Sequence, residues 1–413
     1  MPLIVRKYGG TSLGTPGRIR TVAGRVARAR AGGDDLVVVV SAMGSATDEL
    51  ISLARETAGH DLAASSHPRE FDMLLSAGER VSMALLAMAI REHGTEAISF
   101  TGSQAAIITD EAHTSARITE VRAERVRKEV GRGRVVIVAG FQGVSRLREV
   151  TTLGRGGSDT TAVALAAALP AERCDIYTDV EGVFTADPRR VPEARRIGEL
   201  SYDEATELAA AGARVMHPRA LEIASRFGVA VRVFSSFAEE GDAAVGTLIH
   251  RTPRKVEGLV LTGIASRPGQ AKLVVRGLGK GLEPLTRLLS ELAGAGVSVD
   301  MVSEAGEGAR LQLSLSEERL DQARALCERV APEATVSAEG GLTRVSLVGS
   351  GMHDRPGVYA RACEALLESG ARLHGVSTSS ISISLLISGD AEERALQALH
   401  RCFELDRVPE AAP

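Results

Sequence analysis

Cysteine is scarce and scattered in this sequence. The 413-residue chain has four, Cys174, Cys327, Cys363 and Cys402, and none forms a C-x-x-C pair. That spacing argues against both a zinc site and a disulfide framework. No apolar run reaches the roughly 18 residues that a membrane span needs. The opening MPLIVRKYGG enters a strand and a glycine turn directly, without the pattern of a signal peptide. An excess of one charge is also missing. The formal balance is −4, which points away from a binder of nucleic acid or of membrane surfaces. These shortages together make a cytoplasmic enzyme the default expectation.

Lysine is the most informative shortage. Before residue 250 the only lysines are Lys7 and Lys128, and arginine supplies the other basic side chains. Lys128, in VRAERVRKEV, reads as the solvated face of a helix. Lys7, in VRKYGGTSLG, ends an apolar strand and precedes a glycine pair. A P-loop has the opposite order, with its lysine after the glycines. Where space beside a phosphate is tight, a compact ammonium is not interchangeable with a planar guanidinium.

What is present is ordinary for a folded protein of two or three domains, with 44% apolar and 25% charged residues. Up to about residue 235, strand-like runs (PLIVRKY, DLVVVVSAMG, AISFTG, RVVIVAGF, CDIYTD, VAVRVFS) alternate with helical patterns. Val37–Val40 predict a strand buried on both faces, as in a parallel sheet. The alternation predicts an α/β sandwich with helices on both faces and ligands beyond the carboxyl ends of the strands. The charged, Gly- and Pro-containing stretch FAEEGDAAVGTLIHRTPRK marks a boundary at about residue 250. Beyond it, a strand-helix-strand-strand-helix order repeats at an offset of about 74 residues, aligning Gly296 with Gly370 and Ser303 with Ser377. That is close to a split ferredoxin-like unit. The pair reads either as an effector-binding module or as a means of dimerising.

Four stretches carry candidate chemistry. In TTLGRGGSDTTAVALAAAL, Ser158 or Asp159 is placed to cap a helix whose amino end favours an anion. There Asp159 suits the amino group of a small zwitterion and Arg155 its carboxylate. A plain capped helix after a glycine turn is the competing interpretation. His217, before Pro218, is expected to cap or pack instead of acting in catalysis. TDVEGVFTADPRR offers Asp179, Asp187 and Arg189 to a nucleotide or simply forms a solvated loop. In DMLLSAGERVSMALLAMAI, Glu79 and Arg80 need partners, whereas Met73, Met83 and Met88 are expected to fill core.

Taken together, KYGGTS, VVSAMG, TDEL, SAGER, FTGSQA, GFQGV, TTLGRGGSDTTA, YTDVEGVFTADPR and VMHPRA occur in one order over the first 250 residues. This set resembles the aspartate kinases of the amino acid kinase family, and the C-terminal repeat looks like that family's paired ACT domains. The resemblance implies a three-layer α/β/α fold with a mainly parallel sheet (1–250), followed by ferredoxin-like ACT α+β domains at 258–336 and 337–413. It implies ATP-dependent phosphorylation of the side chain of L-aspartate to 4-phospho-L-aspartate, the first step of aspartate-family amino acid biosynthesis, which includes lysine and threonine. Lys7, Gly9, Gly10 and Ser41 would meet the ATP phosphates, and Tyr8 would also serve the cofactor. Thr178, Asp179, Phe184, Asp187, Arg189 and Arg214 would serve the nucleotide. Thr47, Glu79, Arg155, Ser158 and Asp159 would hold aspartate, with Lys7, Arg155 and Asp159 catalytic. Mg2+ would travel with ATP, held mostly by phosphate and water. A homo-oligomer through the ACT domains and an amino-acid effector bound there are also implied. A kinase for a related acid such as hydroxyaspartate, or a sensing protein that has lost catalysis, are the alternatives.

The chain departs from the family pattern at several places. Arg214 replaces a usual lysine. GLGKGLEPLTR replaces the first Asp-x-Pro-Gly turn, although a second is kept at Asp354–Gly357. Ser303-Glu304 stands where an effector-contacting Gln-Asn usually follows Asp300-Met301-Val302, and STSSISIS lacks the usual charged pair. Lost polar contacts of this kind weaken binding steeply, so weakened feedback by lysine and threonine is expected.

Overall fold

A computed structural model of the chain describes residues 1–58, 67–213, 215–238, 246–251, 261–306, 310–352 and 356–407. They form two compact units. The first comprises 1–183, 196–209 and 214–254; the second comprises 184–195, 210–213 and 255–413. The composition shift near residue 250 falls beside 252–260, outside the described residues.

The first unit is built on an eight-stranded sheet of β1 (Leu3–Tyr8), β2 (Asp35–Val40), β3 (Ala97–Phe100), β6 (Val135–Ala139), β9 (Arg173–Thr178), β10 (Glu199–Ser201), β11 (Val231–Ser235) and β12 (Thr247–His250). Their spatial order is β10-β12-β11-β9-β1-β2-β6-β3. Every pairing is parallel except β11 with β12. All six strands expected from apolar runs are in this sheet. Val37–Val40 have no exposed surface, because helices cover both faces. On one face α1 (Pro16–Ala31) and α4 (Ala77–Glu92) bury Ile19, Val22, Leu86 and Ile90 against Ile4, Leu36 and Ile137. α6 (Gly157–Ala168) packs on β1, β2 and β9. The remaining helices of this part are α2 (Ala46–Ala58), α3 (Pro68–Leu75), α5 (Glu124–Val130), α7 (Tyr202–Ala211) and α8 (Pro218–Phe227). Lys128, on α5, is exposed as expected.

Three features differ from the sequence reading. A second sheet of four short strands, β4 (Ile107–Thr109), β5 (Ile118–Val121), β7 (Gln142–Ser145) and β8 (Val150–Thr152), was not anticipated. The helical stretch from Pro68 to Glu92 breaks at Ser76 into α3 and α4. By length and composition this stretch could cross a membrane; in the fold it buries Leu75, Leu86 and Ile90. Of its methionines only Met83 packs on the core. Met73 and Met88 are 39% and 62% exposed, because they lie on the outer face of their helices.

The second unit carries a six-stranded antiparallel sheet ordered β14-β15-β13-β16-β18-β17. Its strands are β13 (Gly263–Arg276), β14 (Val299–Ala305), β15 (Arg310–Ser316), β16 (Thr335–Val348), β17 (Leu373–Thr378) and β18 (Ser382–Ser388). The internal repeat is realised element by element. α9 (Leu282–Gly294), β14, β15 and α10 (Leu320–Val330) recur as α11 (Val358–Glu368), β17, β18 and α12 (Glu392–Cys402). Gly296 and Gly370 both have φ of 70° just past α9 and α11, a left-handed stop that glycine adopts without strain. Segment 184–195 is part of this unit. Ala186 and Val191 lie in the core with Leu347, Leu385 and Leu396. The Thr185 hydroxyl is 3.0 Å from His400 Nε2, and the Ile264 N–H donates to the Thr185 carbonyl at 2.7 Å. Gln397 donates to the Arg190 carbonyl, and Arg190 pairs with Glu392. The expectation of a merely solvated loop therefore fails for this half of it.

Candidate active site

The loops after β1 and β2, at the carboxyl end of the parallel sheet where ligands bind, converge with the loop that joins β8 to α6. After β1, Gly10 passes so close to the next loop that a Cβ on it would stand 2.8 Å from the Ala42 carbonyl oxygen. Its own carbonyl accepts from Gly44 N at 3.0 Å, and Ser41 N donates to the Tyr8 carbonyl at 3.1 Å. Gly10 thus knits the first two loops together. Side chains alternate along β1. Lys7 points toward α6, while Tyr8 points away and stacks on Tyr177 with ring centroids 4.7 Å apart. Tyr8 is fully buried, so its ring offers nothing to a ligand.

The third loop enters α6. The helix begins at Gly157 with Gly156 at its cap, φ 69°, and no side-chain cap. The expected capping by Ser158 or Asp159 is therefore not observed, since the glycine turn starts the helix earlier and leaves both within its first turn. A Cβ on Gly156 would stand 2.2 Å from the His217 Cβ. His217 itself caps α8, its Nδ1 accepting from Arg219 N at 3.3 Å, the structural role expected of it. Gly156→Ala should combine a left-handed strain with a backbone displacement and cost at least about 2 kcal/mol. A melting curve of the variant measures that, with a parallel loss of turnover.

These loops enclose a cavity of about 540 Å³. Eight residues singled out from the sequence line it: Lys7, Gly10, Ser41, Thr47, Glu79, Arg155, Ser158 and Asp159. Lys7 Nζ lies 2.7 Å from Asp159 Oδ1, with both side chains nearly buried. The residues are 152 positions apart in sequence, and β1 and α6 bring them together. Asp159 is thus committed to Lys7. A second buried carboxylate, Glu79, faces the same cavity. One Glu79 oxygen accepts from Ala42 N at 3.1 Å, while Oε2 is buried without a hydrogen-bond partner. Burial pushes its pKa up to about 7, against the opposing pull of backbone hydrogen bonds. Arg155 is exposed on the wall of the cavity. The donor set fits a phosphate chain. It combines a lysine ammonium, glycines at the one place where backbone can come close, and a helix amino end.

Other expected residues lie elsewhere. Gly9 donates to the Tyr177 carbonyl at 3.2 Å. Thr178 ends β9 in the first unit and Asp179 follows it, with the Thr178 hydroxyl donating to Asp179 at 3.1 Å. Phe184, Asp187 and Arg189 belong to the second unit. Arg189 forks onto Asp187 at 3.0 and 2.8 Å and lowers its pKa. Arg214 lies outside the described residues. Sequence reasoning missed Thr114, Phe141 and Thr152 on the cavity wall and Asp72 and Arg219 behind it. The available signal was an acidic residue inside the apolar run FDMLL, which must find donors to be buried.

A model of the amino acid kinase family matches residues 2–235, and an ACT domain model matches 345–403. An aspartokinase of Geobacillus stearothermophilus is 46% identical over 408 residues, covering 98% of both chains. Aspartokinase 2 of Bacillus subtilis (strain 168) is 43% identical over 418 residues, covering 100% of both. Among solved structures, E. coli aspartokinase III with aspartate and ADP in its R-state superposes with a TM-score of 0.81 at 28% identity, covering 97% of this chain and 99% of that one. The same enzyme with lysine and aspartate in its T-state gives 0.73. With these full-length matches, the chain belongs to the aspartokinases of the amino acid kinase family.

Proposed function

We propose that the cavity binds L-aspartate end to end with ATP and transfers the γ-phosphoryl group to the aspartate side chain, giving 4-phospho-L-aspartate and ADP. The observation that carries this is the Lys7–Asp159 pair on the wall of the cavity that also holds Glu79 and Arg155. A carboxylate oxygen attacks the γ-phosphorus and the bond to the β-bridging oxygen breaks. The protein's part is to place the two and to neutralise charge. Lys7 sits where charge accumulates on the transferring group, and Asp159 keeps the ammonium oriented toward it. Gly9, Gly10 and Ser41 present the loop edge to the phosphates. Glu79 Oε2 takes the aspartate ammonium and Arg155 a carboxylate, with Thr47 and Ser158 on the flanks. Thr178, Asp179, Phe184, Asp187, Arg189 and Arg214 are assigned to the nucleotide. Mg2+ bound to the ATP phosphates and water would supply further charge neutralisation. A coupled assay of ADP release with L-aspartate tests the proposal, and turnover without aspartate dependence would refute it.

The rest of the assignment follows from kinship. E. coli aspartokinase III has been solved with lysine, so an amino-acid effector at the second unit is proposed here, along with ACT-mediated homo-oligomers and a cytoplasmic setting. The catalytic part is assigned to 1–250 and the ACT domains to 258–336 and 337–413. β14, which bears Ser303 and Glu304, is an edge strand with both residues exposed. Without the family's polar contacts there, lysine plus threonine at millimolar levels should inhibit purified enzyme by less than about twofold. Strong concerted inhibition in that assay would overturn the expectation.

A further inference from the structure

We infer that Asp72 is a positioning residue that holds the Arg155 turn in its aspartate-binding shape. Asp72, near the end of α3, has no exposed surface. Its carboxylate faces only donors. His113 Nδ1 lies 2.7 Å from Oδ2. The Thr114 N–H reaches both oxygens at 3.0 and 3.1 Å, and the Thr152 hydroxyl donates at 2.6 Å. Thr114 and Thr152 both line the cavity. A carboxylate accepts at all of these positions, whereas an amide would turn a donor toward two of them.

The geometry joins this cluster to Arg155 by a short path. Thr114 has φ of 68°, a left-handed conformation that a β-branched residue adopts only when its surroundings impose it. The bonds from its N–H to Asp72 are such an imposition. Its carbonyl oxygen lies 3.1 Å from where a Cβ on Gly154 would stand, so the strained residue sits close against the first glycine of the turn and leaves no room there for a side chain. Thr152, the other anchor, ends β8 three positions before Arg155. From the opposite side, Arg219 donates to the carbonyls of Leu153 at 2.7 Å and Ala116 at 2.8 Å. The 113–116 and 152–154 segments are therefore clamped at both ends, and the exposed Arg155 projects from the clamped frame. The strain lies on the side of the cavity assigned above to the acceptor, and the Asp72 role rests on that assignment.

The test is steady-state kinetics on variants of the full chain. Asp72→Asn should raise KM for aspartate about tenfold, with KM for ATP within about twofold of wild type. Thr152→Val, which removes one donor and leaves Asp72 in place, should raise KM for aspartate at least about threefold. Glycine adopts φ of 68° unaided. In a Thr114→Gly background, the effect of Asp72→Asn should therefore shrink to less than about threefold, a coupling that simple destabilisation would not produce. An Asp72→Asn enzyme that melts earlier but keeps both KM values would overturn the inference. If that variant does not fold, a Thr152→Val enzyme with wild-type KM overturns it. Arg155→Ala separates the two readings. If it leaves KM for aspartate unchanged, the acceptor assignment fails; if it raises KM while Asp72→Asn does not, only the role of Asp72 fails.

Discussion

Lys7→Ala is expected to lower kcat about a thousandfold, the scale seen when a preorganised charge on a developing oxyanion is removed. Lys7 is paired with Asp159 at 2.7 Å in a nearly buried setting, so the substitution also leaves Asp159 without its counter-charge. Removing one member of such a pair typically costs about 3 kcal/mol. Stability and catalysis can then be separated. Lys7→Ala combined with Asp159→Asn should recover most of the lost melting temperature, because no uncompensated charge remains. It should recover none of the turnover, because the ammonium is still absent. Denaturation and initial-rate measurements on the single and double variants check both halves. Near-wild-type kcat in Lys7→Ala would remove the lysine from the mechanism.

Glu79→Gln carries the second large effect and moves two observables in opposite directions. In the folded chain, burial raises the Glu79 pKa from 4.5 to about 7. The folded state therefore holds the proton more tightly than the unfolded state. The resulting cost is absent below about pH 4.5, grows as pH rises toward 7 and then levels off at about 3 kcal/mol. At pH 8 the glutamine variant should be the more stable protein, and at pH 4 the advantage should vanish. Binding goes the other way. The ionised carboxylate receives the aspartate ammonium, and losing a charged partner costs about 2–3 kcal/mol, or roughly 30- to 160-fold in KM. In the wild type, KM for aspartate should fall about tenfold between pH 6 and pH 8 as Glu79 ionises. That slope should be missing from the variant. Thermal melts across pH, paired with KM profiles, decide the matter; a pH-independent wild-type KM would contradict the role.

The sequence carried some of this plainly. Long apolar runs specify the central strands because their residues are buried on both faces. Val37–Val40 has no polar alternation to mislead a reader. The repeat in the second unit was legible because each copy must stop a helix with glycine, and Gly296 and Gly370 do so with the same φ. Strands of three or four residues such as ITEV and QGVS were not legible, since so short a segment has no period. Nor were contacts made by single groups across long separations. Nothing local says that Glu79 will reach Ala42 N, 37 positions away, or that Asp72 will gather His113, Thr114 and Thr152. The 184–195 segment misled for a related reason. Its apolar residues, Phe184, Ala186, Val191 and Ala194, are scattered among charges and prolines with no period to reveal a buried side.

That segment makes a chain truncated after residue 250 a poor stand-in for the whole enzyme. Phe184, Asp187 and Arg189 ride on a stretch whose neighbours include Ile264, Leu385, Gln397 and His400. Removal of everything past residue 250 would strip Ala186 and Val191 of their apolar surroundings and Arg190 of its carboxylate. What remained would retain Lys7, Glu79 and Arg155 but would have to reshape the loop assigned to the nucleotide. Severing the halves should therefore impair ATP use before aspartate use.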